Sequence, residues 1–148
     1  MKPNSTPHCI PMPEPETFAG LMEIYETNYI NIRRLCGNLS LLDAWVISQV
    51  KTGLDLHLKI LERAKYTLTV KLTYQFNHVN SQRIDEYPDL VVRIYYDAKQ
   101  AEVLTNQTRK TGKNAHLSSK WYDNRFLYKW LNYCLEQGHR FERLEQST

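Results

Sequence analysis

The chain has 148 residues, of which 42% are hydrophobic and 24% are charged, and its formal net charge is +3. These values indicate one globular domain with its own core, and the mild positive charge falls short of the imbalance typical of nucleic-acid-binding proteins. The longest apolar runs span only a few residues, so the sequence predicts no membrane-spanning helix and no membrane partner.

The first 16 residues contain five of the six prolines and lack the apolar core of a secretory signal. Because proline fixes φ and removes a backbone donor, we predict that residues 1–16 form an extended, poorly ordered tail. The three cysteines, Cys9, Cys36 and Cys134, are odd in number and widely spaced. A disulfide framework is therefore not expected, and a reducing cytoplasm fits best.

Residues 17–36 place apolar side chains at the spacing of an amphipathic helix. Thr17 is suited to cap its start, because a threonine hydroxyl accepts a hydrogen bond from a free N–H of the first turn. Gly37 follows as a left-handed stop, which ends the predicted helix.

After Gly37 the hydrophobic period changes from that of a helix to alternation, which is typical of strands with one buried face and one wetter face. Residues 77–88 lack any period and end in Pro88, so they are predicted to form a loop. The short turns between neighbouring segments favour antiparallel pairing. The predicted strands are 44–50, 54–61, 68–76, 89–96 and 101–106.

The polar segment 108–120 is predicted to be a loop or a ragged edge strand. Asp123 is suited to cap a second helix over 124–137, which Gly138 would end. The charged residues 140–148 are expected to fray. The apolar stripe of this second helix comprises Phe126, Leu127, Trp130, Leu131, Cys134 and Leu135.

The order of these elements predicts a single two-layer α+β domain over residues 17–139. An antiparallel sheet of four or five strands would carry the N-terminal and the C-terminal helix on its one apolar face. The opposite face of the sheet would then be open to solvent or to a partner.

Four segments of the chain carry a family resemblance in their order and spacing. They are NIRRLCGN at the end of the first helix, LKILERAKYTLTVKL in the strands, VRIYYDAKQAEV in a hairpin and KWLNYCLEQG in the last helix. Together they resemble the YqiB-like family of uncharacterised bacterial proteins, a domain of unknown function, over residues 18–139. The resemblance implies a small bacterial cytoplasmic protein and supplies no catalytic residue.

The hairpin VVRIYYDAKQAEVL contains a charged group that has two interpretations. Arg93 and Tyr95 share a strand face, and Glu102 lies on the return strand. A two-residue loop places Tyr95 opposite Glu102, a longer loop places Arg93 opposite Glu102, and both allow an Arg93–Glu102 ion pair. We favour a structural role, in which Asp97 shapes the turn and Glu102 pairs with Arg93. In the alternative, Arg93 and Tyr95 form the floor of a ligand or partner site.

The open face of the predicted sheet carries several basic side chains. It could bind phosphate or single-stranded nucleic acid, with Tyr95 as a stacking platform, or it could pair with a second copy of the chain. A solvated polar face is the favoured interpretation, because any open sheet face needs polar residues. The candidate binding residues are His57, Lys59, Lys71, Arg93 and Tyr95, among the polar neighbours Asp55, Thr69 and Thr73.

A second basic group occupies the segment 109–120, which holds no acidic residue. A phosphate contact there is feasible electrostatically, but an irregular charge run of this kind is usually a solvated loop. The candidate residues of this loop are Arg109, Lys110, Lys113 and Lys120.

The sequence offers little support for catalysis. No two histidines have metal-ligand spacing, and no Walker loop, G-x-S-x-G or G-x-G-x-x-G motif occurs. Cys36 and Cys134 fall on apolar helix stripes, so we expect them to pack in the core. We therefore expect a non-enzymatic, cofactor-free protein-binding or adaptor module, with homodimerisation as one arrangement. The alternative is a nucleic-acid or phosphate binder that uses the basic sheet face and the 109–120 loop. An enzyme is the third alternative, and it would need a pocket that the sequence does not reveal.

Overall fold

A computed structural model of the chain describes residues 17–51, 53–77, 84–104 and 117–141. Within these residues, two helices and one five-stranded antiparallel sheet confirm the predicted two-layer α+β fold, and no helix is long and apolar enough to cross a membrane. The predicted tail 1–16, the end of the chain after 141, and Arg109, Lys110 and Lys113 lie outside the described residues. The helices are α1 (Phe18–Cys36) and α2 (Leu117–Glu136), and the strands are β1 (Trp45–Ser48), β2 (Leu56–Arg63), β3 (Thr67–Asn77), β4 (Ile84–Tyr95) and β5 (Gln100–Val103), in that spatial order.

Helix α1 begins and ends where local chemistry predicts. The Thr17 hydroxyl accepts a hydrogen bond from the backbone N–H of Gly20 at 2.9 Å, which satisfies one free donor of the first turn. At the other end Gly37 has φ 67°, and its N–H donates to the carbonyl oxygen of Arg33 at 2.8 Å. Both predicted caps are confirmed.

One face of the sheet forms the core with both helices. The register sets Leu72 of β3 between Leu58 of β2 and Leu90 of β4, so one row of leucines crosses the central strands. Cys36 and Cys134 are buried in the same core, as predicted, and burial raises the pKa of their thiols to about 12 and about 11. The helices contribute Ile32, Leu35, Leu127, Trp130, Leu131 and Leu135.

Helix α2 starts about two turns earlier than its sequence pattern predicts. It begins at Leu117, so the loop prediction for 117–120 is wrong and Asp123 is an internal helical residue rather than the N-cap. The reason is tertiary, because Trp121 is buried against apolar side chains of α1 and extends the packed stripe toward the N-terminus. Phe126, placed on the predicted stripe, is instead exposed. The helix ends before Gly138, which has φ 93°.

Strand β4 also starts earlier than predicted, at Ile84, so the assignment of 84–88 to a loop is wrong. Its first residues pair with the last residues of β3, with Ile84 opposite Asn77. The register shifts opposite Thr73–Gln75, and Pro88 lies within that irregularity. A bulge is where a strand tolerates proline, because the missing N–H is not needed in the ladder there.

The packed fold continues beyond Gly138 into the segment whose sequence suggests fraying. His139 is 1% exposed, and its Nδ1 lies 2.9 Å from the Ser48 hydroxyl, which also accepts a hydrogen bond from the N–H of Arg140. The N–H of Phe141 donates to the carbonyl oxygen of Leu35 at 2.8 Å. These bonds tie the segment after α2 to both β1 and α1.

Candidate functional site

The outer face, defined here as the side of the sheet away from the helices, brings the predicted binding residues onto one surface. The antiparallel register places Lys59 beside Lys71 in one row and Thr69 beside Arg93 in another. His57 and Tyr95 lie on the same side of their strands as these residues. All five candidate residues of this face therefore share it.

One of the basic side chains that the sequence suggests for the outer face, Lys71, is paired with acidic neighbours. Lys71 Nζ lies 3.0 Å from Glu86 Oε1 and 3.6 Å from Asp89 Oδ1. The hydrogen bond to Glu86 raises the pKa of Lys71, and the same bond lowers the pKa of Glu86. Lys71 is therefore engaged between two carboxylates and is not a free phosphate contact.

His57 is buried and anchors an aromatic group at the β1 end of the face. The indole Nε1–H of Trp45 donates to His57 Nδ1 at 3.0 Å, so the ring proton of neutral His57 resides on Nε2. Burial lowers the pKa of His57, which keeps the imidazole neutral at pH 7. Lys59 Nζ lies 4.5 Å from the centroid of the Trp45 ring, within the range of a cation–π contact. Trp45 is thus fixed by both neighbours.

The charged group of the hairpin is satisfied internally, although not by the expected ion pair. Arg93 lies opposite Glu102 across the ladder, but its Nε donates to the Thr69 hydroxyl at 3.3 Å. Glu102 instead accepts a hydrogen bond from the Tyr95 hydroxyl at 2.6 Å. Burial and this bond raise the pKa of Tyr95 to about 12. Tyr25 of α1 also lies against Glu102, and its pKa is raised, first by burial and then by that carboxylate.

The turn of the hairpin is built as the sequence suggests. Asp97 Oδ1 accepts a hydrogen bond from the N–H of Ala98 at 2.9 Å, and Lys99 adopts a left-handed φ of 55°. Lys120, a candidate residue of the basic loop, lies in the first turn of α2. It belongs to the helical layer and is not on the outer face.

Strand β1 carries a feature that the sequence analysis did not single out. Trp45 and Ile47 are exposed to 54% and 48% of their surface, although they occupy a strand. The register places them opposite Lys59 and His57, which puts both apolar side chains on the outer face. The signal in the sequence is the alternation of Trp45 and Ile47 with Val46 and Ser48, which became informative only once β1 was known to be the edge strand.

The backbone of β1 is open along its outer edge. The N–H of Ile60 donates to the carbonyl oxygen of Ala44 at 2.8 Å, which fixes the phase of the β1–β2 ladder. Hydrogen-bonded pairs alternate in an antiparallel ladder, so Val46 and Ser48 bond to β2. The N–H and C=O groups of Trp45 and Ile47 therefore point away from the sheet. Among the described residues, no backbone or side-chain group bonds to them.

The opposite edge of the sheet is covered. The outward N–H of Val103 in β5 donates to Asn124 Oδ1 of α2 at 2.8 Å. Asn124 is fully buried, and its Nδ2 donates to the carbonyl oxygen of Lys120, which fixes the orientation of the amide. Within the part of the chain that the structure describes, the two edges therefore differ, because a helix side chain caps the Val103 N–H of β5 whereas two residues of β1 are unpaired along the outer edge.

Comparisons with known proteins agree with the resemblance in the sequence. The model of the family described as "Protein of unknown function (DUF1249)" matches residues 31–140. The proteins named "Uncharacterized protein YqiB" from Escherichia coli strains K12 and O157:H7 are each 30% identical over 130 residues, covering 82% of this chain and 90% of theirs. No solved structure matches the chain. The chain therefore belongs to the DUF1249 family of proteins of unknown function.

Proposed function

We propose that the protein is a non-enzymatic binding module that recognises a protein partner at the β1 edge of its sheet. The observation that carries the proposal is the open edge, where two outward-facing residues, Trp45 and Ile47, also expose apolar side chains. An unpaired edge is a template for an additional strand. Two free, buried thiols support a reducing compartment, so we place the protein in the cytoplasm.

The arrangement suits strand addition because backbone and side chains act together. A partner strand would bond to the backbone of Trp45 and Ile47 and would lie beside their side chains on the outer face. The Trp45 indole is already held by His57 Nδ1 and Lys59 Nζ. A rigid aromatic loses little side-chain entropy on binding, which is one reason tryptophan is frequent among residues that dominate interface energies.

The alternative of a nucleic-acid or phosphate binder draws no support from the described part of the outer face. Lys71 is paired with Glu86 and Asp89, and Arg93 donates to Thr69. His57 is neutral because burial lowers its pKa. Lys59 and Arg93 keep their charge, but with Lys71 paired and His57 neutral the described face has fewer cations for phosphate binding than the sequence suggests.

The test places a photo-crosslinking residue, p-benzoylphenylalanine, at position 47 of the full chain in the native organism. The matched control carries the same residue at Tyr133, which is 50% exposed on α2, on the helical layer. We expect position 47 to give discrete protein adducts on irradiation and the control to give none of them. If both positions yield the same adducts, or position 47 yields none, the β1 edge is not a protein-binding site.

A further inference from the structure

We infer that the strand bound at the β1 edge is β1 of a second copy, related to the first by a two-fold axis beside Val46. The two sheets would then join into one continuous antiparallel sheet of ten strands, because each copy contributes five. This inference rests on the proposed binding function of the β1 edge and names its partner.

The hydrogen-bonding phase of β1 suits pairing with a second copy. In a two-fold antiparallel arrangement centred on Val46, Trp45 of one copy lies opposite Ile47 of the second copy. On the other side of the axis, Ile47 of the first copy lies opposite Trp45 of the second. Trp45 and Ile47 are the residues whose N–H and C=O groups point outward. Both cross-copy pairs are therefore hydrogen-bonded pairs. The edge matches itself without any change of register.

Side chains would also pair favourably across the two-fold axis. The same arrangement sets the Trp45 indole directly beside the Ile47 side chain of the second copy, on the outer face of both sheets. An aromatic residue opposite a β-branched residue is a favourable cross-strand pair, and the symmetry makes the contact twice. At the ends of the paired segment Asp43 would face Gln49, so no like charges meet.

Exposed apolar residues also precede and follow β1 in the chain. Leu41 precedes the strand and Leu54 follows it, and both are exposed. With Trp45 and Ile47 they give four exposed apolar side chains on β1 and in the segments next to it in sequence. Exposed apolar side chains grouped in this way are typical of an interaction surface.

The difference between the two edges of the sheet would stop the assembly at two copies. Edge-to-edge addition can continue into a filament if both edges of a sheet are open. Here Asn124 caps the outward N–H of Val103, so β5 does not offer an equivalent template. One open edge and one covered edge limit the assembly to a closed dimer. The paired segment is short, because β1 has four residues, so we expect a dimer that dissociates on dilution.

The test measures the mass of the full chain by sedimentation equilibrium from about 1 to about 200 μM, a range that brackets the micromolar affinities of weak complexes. We expect the mass to rise from 17.5 kDa toward twice that value. Ile47→Lys should weaken association by at least about tenfold, because a lysine on an edge strand opposes pairing. The control is Ile84→Lys, the same substitution at a strand residue that is 57% exposed, far from the β1 edge. It should leave association unchanged.

A disulfide variant tests the register itself. At a two-fold axis beside Val46, the two copies of this residue form a non-hydrogen-bonded pair with Cα atoms about 4.5 Å apart, within reach of a disulfide. In a chain with Cys9→Ser, Val46→Cys should oxidise to a covalent dimer whereas Ile84→Cys should not. If both variants, or neither, give the covalent dimer, this register is wrong.

The two proposals fail in different ways. A wild-type mass that stays at 17.5 kDa up to about 200 μM overturns the second-copy inference, and adducts of other proteins at position 47 would leave the binding function standing. A dimer that Ile47→Lys leaves intact and Ile84→Lys dissociates places the interface elsewhere and overturns the inference. A mass of 17.5 kDa together with no adduct at position 47 overturns both proposals.

Discussion

Substituting Asn124 by alanine tests how the β5 edge is closed. The Asn124 side chain is the acceptor for the N–H of Val103, at 2.8 Å, in a site without access to water. Asn124→Ala removes this acceptor and leaves a buried backbone donor without a partner. The carbonyl oxygen of Asn124, which accepts a hydrogen bond from Asn28 Nδ2, is a backbone atom and remains in place. The substitution therefore removes the edge contact together with the bond from Asn124 Nδ2 to the carbonyl oxygen of Lys120, an acceptor at which no buried donor is left unpaired.

The magnitude follows from two opposing effects. An orphaned buried N–H costs about 1–3 kcal/mol. Alanine favours the helix over asparagine by up to about 0.7 kcal/mol, which offsets part of that cost. The net loss of unfolding free energy should be about 1–2 kcal/mol. For a chain of this length, that lowers the melting temperature by roughly 2–8 °C.

Chemical denaturation monitored by circular dichroism measures the loss. The matched control is Asn132→Ala on the same helix, where a half-buried amide accepts from Asn31 Nδ2 at 3.3 Å. Asn31 is itself buried, but this bond is longer and only half-buried, so its loss should cost less than the loss of the Val103 bond. The helix preference for alanine applies equally to both variants. If Asn124→Ala is no more destabilising than Asn132→Ala, the capping argument is refuted.

Two further predictions concern titratable groups in the fold. Burial lowers the pKa of His57 and His139, so the unfolded chain binds more protons than the folded chain as pH falls below about 6.5. The unfolding free energy should be steady above that pH and decrease as pH falls toward 5, and a stability that is flat or increasing there contradicts the assignment. Burial raises the pKa of Cys36 and Cys134, so with Cys9 replaced by serine neither thiol should react with a thiol reagent at pH 8 until the protein unfolds. Rapid labelling of the folded variant would show that one of these thiols is accessible.

Local chemistry explains which parts of the fold could be predicted from the sequence. Helix α1 was assigned correctly because its limits are set by nearby residues, Thr17 at the start and Gly37 at the end. The start of α2 was missed because Trp121 is buried against α1, a contact that no local pattern contains. The start of β4 was missed because Ile84–Glu86 pairs with β3 through its backbone and shows no alternation.

For the candidate site, the sequence predicted which residues share a face but not what surrounds them. Alternation along the strands correctly placed His57, Lys59 and Lys71 on one face. Their environment was misread, because Glu86, the closest partner of Lys71, lies in the segment predicted to be a loop. The position of β1 at the edge could not be predicted, because strand order depends on the whole sheet and not on any local pattern. Only that order shows that Trp45 lies at an edge, which is the basis of the binding role proposed for it.

The central claim is that β1 is an open edge and β5 a closed one, and amide hydrogen exchange of the dilute protein tests it most directly. At about 1 μM, below the affinity range expected of a weak dimer, the amides of Trp45 and Ile47 should exchange rapidly. The amide of Val46, which bonds to β2, and that of Val103, which bonds to Asn124, should be protected. Protection of Trp45 and Ile47 equal to that of Val103 in the dilute monomer would contradict the account.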